Sequence, residues 1–257
     1  MRFLRLAAGV LLLAAAPLTW AGDDFESLQK EFREAQQTWY QKYSELQKEA
    51  GEDKPVDQSK LPPRPEKEFR AKFKALADKL AGKPDAIAPL VWLVNNAEAA
   101  PGGKDETATE ALATLTKSHA ADKEIAAQLP QLMYTYWRIG AEPLNALYEK
   151  VIKENPDKDA KAAATFNLAF TLYSSDRGGK PGESAGRDRA IALFRSMAKD
   201  FADTNAAKRA EGYVFEIENL QVGMKAPDFS GEDVDNKTIK LSDFKGKVVV
   251  IDFWGFW

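Results

Sequence analysis

The 257-residue sequence contains no cysteine and only one histidine, His119. Without cysteine the chain has no disulfide, no thiolate metal site and no thiol nucleophile of its own. A single histidine also cannot supply a His-rich zinc or iron site. His119 ends a predicted helix with no partner nearby in sequence, so we interpret it as a capping or solvent-facing residue rather than a catalytic base.

An excess of basic charge is missing as well. The chain has 36 Lys plus Arg and 39 Asp plus Glu, a net charge of -3, which argues against a nucleic-acid binder because phosphate recognition depends on a clustered basic excess. The motifs GxSxG, GxxxxGK[ST], HExxH and GxGxxG are absent too. We therefore expect no nucleic-acid partner, no metal and no cofactor.

The N-terminus has the layout of a secretory signal peptide. Two arginines precede an apolar, Ala-rich run from Leu6 to Leu18, and Thr19-Trp20-Ala21 ends in a small residue. The apolar run is shorter than the ~20 residues of a membrane-spanning helix. We interpret residues 1–21 as a cleaved signal peptide and expect an exported protein, periplasmic or otherwise extracytoplasmic, with no membrane span after signal removal.

From residue 22 to residue 221 apolar residues recur at spacings of three and four, which predicts amphipathic helices. One helix is predicted over 22–51, with Asp23 and Asp24 near its start. A stretch with four prolines over 52–65 predicts a linker or extended loop. Short helices separated by Gly or Pro follow over 66–221, which predicts a domain of antiparallel helical hairpins.

The end of this helical region resembles tetratricopeptide repeats. Four residues have the spacing of four, three and five that closes such a repeat: Leu144, Tyr148, Val151 and Pro156. Three more repeat the first two offsets: Ala190, Phe194 and Met197. The Gly-rich stretch from Arg177 to Arg187 is interpreted as a lengthened surface loop between the two helices of a unit.

Stacked helical hairpins often bind a partner on their concave side, so the helical region is expected to offer a site for a protein partner. The aromatic stripe Tyr134, Trp137 and Tyr148 is interpreted as core rather than as a ligand cradle, because large aromatic side chains dominate buried area.

After Leu220 the pattern changes from helix to strand and turn. Thr238-Ile239-Lys240 alternates, and the preceding turn contains Asn236, which tolerates positive φ. Leu241–Phe244 predicts a helical turn leading to Gly246. The apolar run Val248–Phe253 then predicts a strand that is buried on both faces.

Three motifs in this order resemble a known family: Val222–Phe229, Leu241–Lys247, and Val248–Trp254 with Trp257. They resemble the start of the redoxin type of thioredoxin fold, the TlpA/ResA-like thiol-disulfide oxidoreductases related to the AhpC/TSA superfamily. The expected fold is mostly α, with TPR-like helical hairpins followed over 222–257 by the truncated N-terminal ββ(α)β start of a thioredoxin-like α/β domain.

The resemblance implies an antioxidant-type oxidoreductase that acts on a disulfide-bearing protein or takes electrons from a thioredoxin-like donor. In this family Phe-Trp-x-x-Trp is followed at once by Cys-x-x-Cys, whereas this sequence stops at Trp257. We therefore interpret the chain as a fragment that is inactive as given. Asp252 matches the acid that accepts a proton from the resolving cysteine, and Trp254 and Trp257 match the aromatic platform beside the redox pair.

The residues leave alternatives open. Asp252 is otherwise an inert, partly solvated residue, and the two tryptophans are otherwise core. A peroxiredoxin-like thiol peroxidase is a second reading of the family, although Trp254-Gly255-Phe256-Trp257 favours the reductase branch. A non-catalytic helical-repeat binding protein is a third. In every case the hairpin and strand of 222–257 are expected to rest on the helical body and to leave an aggregation-prone edge.

Overall fold

A computed structural model describes residues 21–51, 54–98, 105–176 and 184–255. Residues 1–20 of the predicted signal peptide and Trp257 of the predicted platform lie outside these ranges. Ten α-helices are present in the described residues: α1 (Ala21–Ala50), α2 (Pro65–Lys79), α3 (Ile87–Asn95), α4 (Glu106–Thr114), α5 (Leu129–Leu132), α6 (Tyr136–Ile139), α7 (Ala141–Glu154), α8 (Lys158–Ser175), α9 (Ala185–Asp200) and α10 (Asn205–Asn219). The protein is mostly α, as predicted.

Helix α1 follows the predicted apolar stripe. Phe32, Trp39 and Leu46, spaced by seven, are buried on one side, and the rest of the helix is largely polar and exposed. The helix begins at Ala21, one residue before the predicted start at residue 22. It ends at Ala50, and Gly51, which follows, has φ of 98°, a left-handed conformation that glycine adopts without strain.

The proline-rich segment after α1 is an extended loop that packs back on that helix. The indole Nε1 of Trp39 donates a hydrogen bond of 2.9 Å to the Pro62 carbonyl. The Arg64 guanidinium lies 4.6 Å from the centre of the same ring, and Val56 is buried. One contact at the edge of the indole and one over its face thus tie the loop to the middle of α1.

Side-chain caps explain where the later helices begin. Asp157 accepts a hydrogen bond from the Ala160 N–H at the start of α8, and Thr204 does the same for the Ala207 N–H at the start of α10. Ser184 caps α9 in the same way. Each cap satisfies a backbone donor that the helix itself leaves without an acceptor, so these boundaries are encoded locally.

Helices α7 to α10 pack against one another in chain order. The residues at the predicted repeat positions of α7 and α9 are all buried: Leu144, Tyr148, Val151, Ala190, Phe194 and Met197. The prediction for the loop between α8 and α9 is partly wrong. Residues 177–183 lie outside the described ranges, but Arg187 is inside α9 and only 6% exposed, because its guanidinium stacks 4.4 Å from the centre of the Tyr173 ring.

Two further predictions for the helical region were wrong. His119 is neither at the surface nor a helix cap: it is 2% exposed, and its Nδ1 lies 2.8 Å from Oδ2 of Asp122. Tyr134 and Trp137 are 60% and 61% exposed, whereas Tyr148 is in the core as expected. The stripe is interrupted because the stretch 129–139 forms two short helices, α5 and α6, rather than one long helix.

In the part of the chain that the structure describes, no helix combines the length and the apolar character required to cross a membrane.

Candidate functional site

The C-terminal segment begins with a short β-hairpin. Strands β1 (Ser230–Glu232) and β2 (Thr238–Lys240) pair antiparallel, with Gly231 opposite Ile239. Asp233 organises the turn, because its Oδ1 accepts hydrogen bonds of 2.9 Å from the N–H groups of Asp235 and Lys237. Asn236 takes φ of 59°, as its residue type predicted. The turn is therefore specified by its own polar side chains.

Two further aspartates attach the hairpin to the helical turn Leu241–Phe244. Oδ1 of Asp228 accepts a hydrogen bond of 2.8 Å from the Ser242 N–H, and Oδ2 of Asp243 accepts one of 2.9 Å from the Lys240 N–H. Hydrogen bonding with Ser242 lowers the pKa of the Asp228 carboxyl. These carboxylates hold the backbone of the segment in place.

The apolar run Val248–Phe253 does not form the predicted strand. Its residues have neither helical nor strand structure, and Val248, Val250 and Phe253 are 97%, 88% and 89% exposed. Every residue of β1 and β2 is exposed too, so the hairpin is not buried against the helical body as expected. A strand needs a neighbour to satisfy its backbone groups, and no strand within the described ranges lies beside this run.

The predicted site residues lie on this extended segment. Asp252 is exposed, and Trp254 is 74% exposed. Trp257, the other half of the predicted platform, is outside the described residues. The roles proposed for all three from the sequence stay predictions.

The groups present limit what this segment can do chemically. The chain has no sulfur nucleophile, because it has no cysteine. Within the described ranges, no cluster of three or more His, Asp or Glu side chains is arranged to hold a metal ion. The chain therefore has no thiol that could take part in disulfide exchange.

Comparison with known proteins shows which proteins this chain resembles. The AhpC/TSA family matches residues 222–257. The thiol-disulfide oxidoreductase ResA of Bacillus thuringiensis subsp. konkukian is 45% identical over 47 residues, which are 18% of this chain and 27% of that protein. ResA of Bacillus subtilis is 50% identical over 40 residues, 16% of this chain and 22% of that protein.

Residues 222–257 are thus similar to the AhpC/TSA family, and we call them the redoxin segment below. The chain spans about a quarter of the length of the curated relatives it matches. No solved structure matches it significantly.

Sequence reasoning missed the local roles of Asp228, Asp233 and Asp243 in the redoxin segment. All three residues lie just before or within a turn, where aspartate accepts hydrogen bonds from nearby backbone N–H groups. That preference could have identified these three aspartates from the sequence. The polar residues of the matched motif therefore stabilise the hairpin and the turn that follows it.

The exposed run of the redoxin segment leads to a prediction about self-association. The Val250→Lys variant should raise about tenfold the concentration at which the chain self-associates. Pairing of two chains through Val248–Phe253 would bury the apolar side chain of Val250, and a lysine there makes that burial unfavourable. Sedimentation velocity over a concentration series measures the effect. Val234→Lys, at a position 99% exposed in the hairpin turn, is the matched control; equal effects of the two variants would contradict pairing through Val248–Phe253.

Proposed function

We propose that this chain is part of an exported thiol-disulfide oxidoreductase of the redoxin type, with its redox cysteine pair directly after Trp257. The observation that carries the proposal is the family match over residues 222–257, which includes Asp252-Phe253-Trp254. The two ResA proteins named above support the reductase branch. The chain as given lacks both thiols and is expected to be inactive by itself.

The proposed reaction is reduction of a protein disulfide by a dithiol. One thiolate attacks a sulfur of the substrate disulfide, a mixed disulfide forms and the other substrate sulfur leaves as a thiolate. The second cysteine then attacks the mixed disulfide, which releases the substrate as a dithiol and leaves the enzyme pair oxidised by two electrons. A thioredoxin-like donor would restore the dithiol; run in the opposite direction, the cycle oxidises the partner.

The residues present would assist this chemistry. In the intact domain Asp252 would accept the proton of the resolving cysteine, with the added strands and helices placed around it. Trp254 and Trp257 would form the apolar surface beside the redox pair. The partners are then a disulfide-bearing protein and a thioredoxin-like electron donor.

The location proposed for the protein is outside the cytoplasmic membrane, in the periplasm or another extracytoplasmic space. The charged start, short apolar run and small residue at Ala21 support it. Disulfide exchange is also most useful where protein disulfides persist. Cell fractionation, with N-terminal sequencing of the secreted product, tests export and should find a mature N-terminus at Gly22.

Activity is tested on the gene product that continues past Trp257. The codons that follow should encode Cys-x-x-Cys, and the extended protein should reduce insulin with dithiothreitol as electron source. The same protein with both cysteines replaced by serine is the matched control and should be inactive, as should the 257-residue chain. An extension without a cysteine pair, or equal activity of the serine variant, would refute the proposal.

The same extended protein separates the two redox readings. A thiol peroxidase consumes hydrogen peroxide with a thiol donor and needs one peroxidatic cysteine, whereas a disulfide reductase needs the pair. We expect insulin reduction without appreciable peroxide consumption. Peroxide turnover that survives replacement of the second cysteine would assign the protein to the peroxidase branch instead.

A further inference from the structure

A groove on the helical body lies outside the redoxin segment, between the stretch 126–130, helix α8 and helix α10. Its cavity has a volume of about 320 Å³. Six of its lining residues carry the argument: Ala126, Ala127, Ala163, Phe166, Ala206 and Arg209. Four alanines from three parts of the fold leave room for another backbone to approach. The volume is at the lower end of ligand sites, about 300–1,000 Å³, and suits one or two peptide side chains.

Arg209 is the cation of this groove, and it is exposed there. Its guanidinium stacks 4.3 Å from the centre of the Phe166 ring, and its Nη2 lies 3.4 Å from the sulfur of Met133. A thioether is a weak acceptor for a charged donor. Within the described ranges no carboxylate lies at ion-pair distance from Arg209, so its remaining donors are open to a ligand.

Arg209 lies where the electrostatics of its helix do not favour a positive charge. Arg209 is near the N-terminal end of α10, where the helix dipole opposes a positive charge, and the first turn of α10 contains no acid. The acidic residue in the lining, Asp159, is in the first turn of α8, where the dipole favours it. The carboxylate of Asp159 thus stabilises its own helix, whereas in the described residues Arg209 contacts an aromatic ring and a thioether but no carboxylate.

We propose that this groove binds an extended segment of another polypeptide through an acidic side chain. The carboxylate pairs with Arg209 across the positive end of α10, and a neighbouring apolar side chain enters the alanine-lined cavity beside Phe166. A guanidinium already held against an aromatic ring loses little freedom on binding a carboxylate, which favours this arrangement. The site needs no cysteine and does not depend on the proposed redox activity.

The test uses the 257-residue chain and a library of capped nonapeptides in which each position is fixed in turn as Glu, Gln, Lys or Leu. Binding is measured by fluorescence anisotropy. We expect Glu to be preferred over Gln at one position by about tenfold, the size of one charge-assisted hydrogen bond, with apolar residues preferred beside it. Lys at that position should bind more weakly than Gln.

Two variants separate the charge from the cavity. Arg209→Gln should remove the preference for Glu and leave apolar selection in place, whereas Ala127→Trp should block both. Arg189→Gln is the matched control, because it removes the same charge from an exposed pair with Glu149 elsewhere on the surface. Melting temperatures show that the variants are folded.

The proposal is overturned if no peptide is selected, if the selected peptides are basic, or if Arg209→Gln leaves the preference for Glu unchanged. It is also overturned if sedimentation shows a dimer that Ala127→Trp dissociates, because the occupant would then be a second copy of this chain. Insulin reduction by the extended protein is a separate readout, so loss of one result does not decide the other.

Discussion

Replacing Arg70 by methionine is expected to lower the free energy of unfolding by about 3–5 kcal/mol. Nη2 of Arg70 lies 2.6 Å from both carboxylate oxygens of Asp105, and the two side chains are only 10% and 7% exposed. Arg70 also donates a hydrogen bond to the carbonyl of Asn96. Methionine replaces the aliphatic part of the arginine side chain but leaves a buried carboxylate without its cation.

Urea denaturation followed by tryptophan fluorescence measures this loss. The Asp105→Asn variant should also be destabilised, and the double variant should lose less than the sum of the two single losses, because no unpaired charge remains. Lys74→Met is the matched control: it removes an exposed partner of Asp78, and we expect a change of at most about 0.5 kcal/mol. Additive losses would contradict direct coupling between Arg70 and Asp105.

The same pair predicts how stability depends on pH. Burial alone would raise the pKa of the Asp105 carboxyl, but the N–H groups of Ala108 and Glu98, together with Arg70, lower it overall. A lowered folded-state pKa stabilises the fold above the ordinary carboxyl pKa of about 3.9, and this contribution is lost as pH falls through the folded-state value. Below about pH 4, the free energy of unfolding of the Asp105→Asn variant should therefore fall less with decreasing pH than that of the unmodified protein. Urea denaturation curves at several pH values measure this.

The Arg70–Asp105 pair also shows where sequence reasoning ends. The residues are 35 positions apart, and neither belongs to a motif. Asp105 also accepts hydrogen bonds from the N–H groups of Ala108 and Glu98, so one carboxylate caps α4 and joins it to the end of the α3 region and to α2. The cap is a local feature, but a partner at that distance depends on how three helices pack.

Features specified by neighbouring residues were predicted well. The helices follow the spacing of apolar residues, and Asn236 marks the hairpin turn. The repeat positions of α7 and α9 are buried because a stripe at helical spacing must face a core. The redoxin motif was also recognised from the sequence, because it consists of residues that are close together in the chain.

The wrong predictions had more than one cause. Val248–Phe253 has the composition of a central strand, yet composition supplies no neighbouring strand. His119 is buried because Asp122 and the surrounding helices enclose it, and Tyr134 and Trp137 are exposed because helix α5 ends early. Arg209 was missed because a single arginine on a helix has no distinguishing pattern until its surroundings are known.

Two surfaces of the molecule therefore have separate proposed tasks. The redoxin segment would provide the strand and aromatic residues around a dithiol, and the groove beside Arg209 would hold an extended polypeptide. An exchange enzyme benefits from a second binding site, because a substrate held nearby encounters the dithiol at a raised effective concentration. Peptide binding and insulin reduction test these tasks independently.

The second large effect is expected from Phe73→Ala, which should lower the free energy of unfolding by about 3–5 kcal/mol. Phe73 is fully buried, and its ring stacks on Trp92 with centroids 3.8 Å apart. Phe25 and Phe32 of α1 contact it at centroid distances of 5.7 and 6.5 Å. Alanine would leave a cavity where α1, α2 and α3 meet. Because α1 packs mainly on α2, the loss of the Phe73 ring should affect α1 most.

Two measurements distinguish a local loss at α1 from a general one. Urea denaturation gives the total change, and limited proteolysis should show faster cleavage within α1 than within α8, because α1 packs on the rest of the protein mainly through α2. Phe229→Ala, at a side chain 52% exposed in the redoxin segment, is the control and should change stability by at most about 0.5 kcal/mol. Equal losses for the two variants would show that Phe73 does not anchor α1, and the amphipathic stripe of that helix would then need another partner.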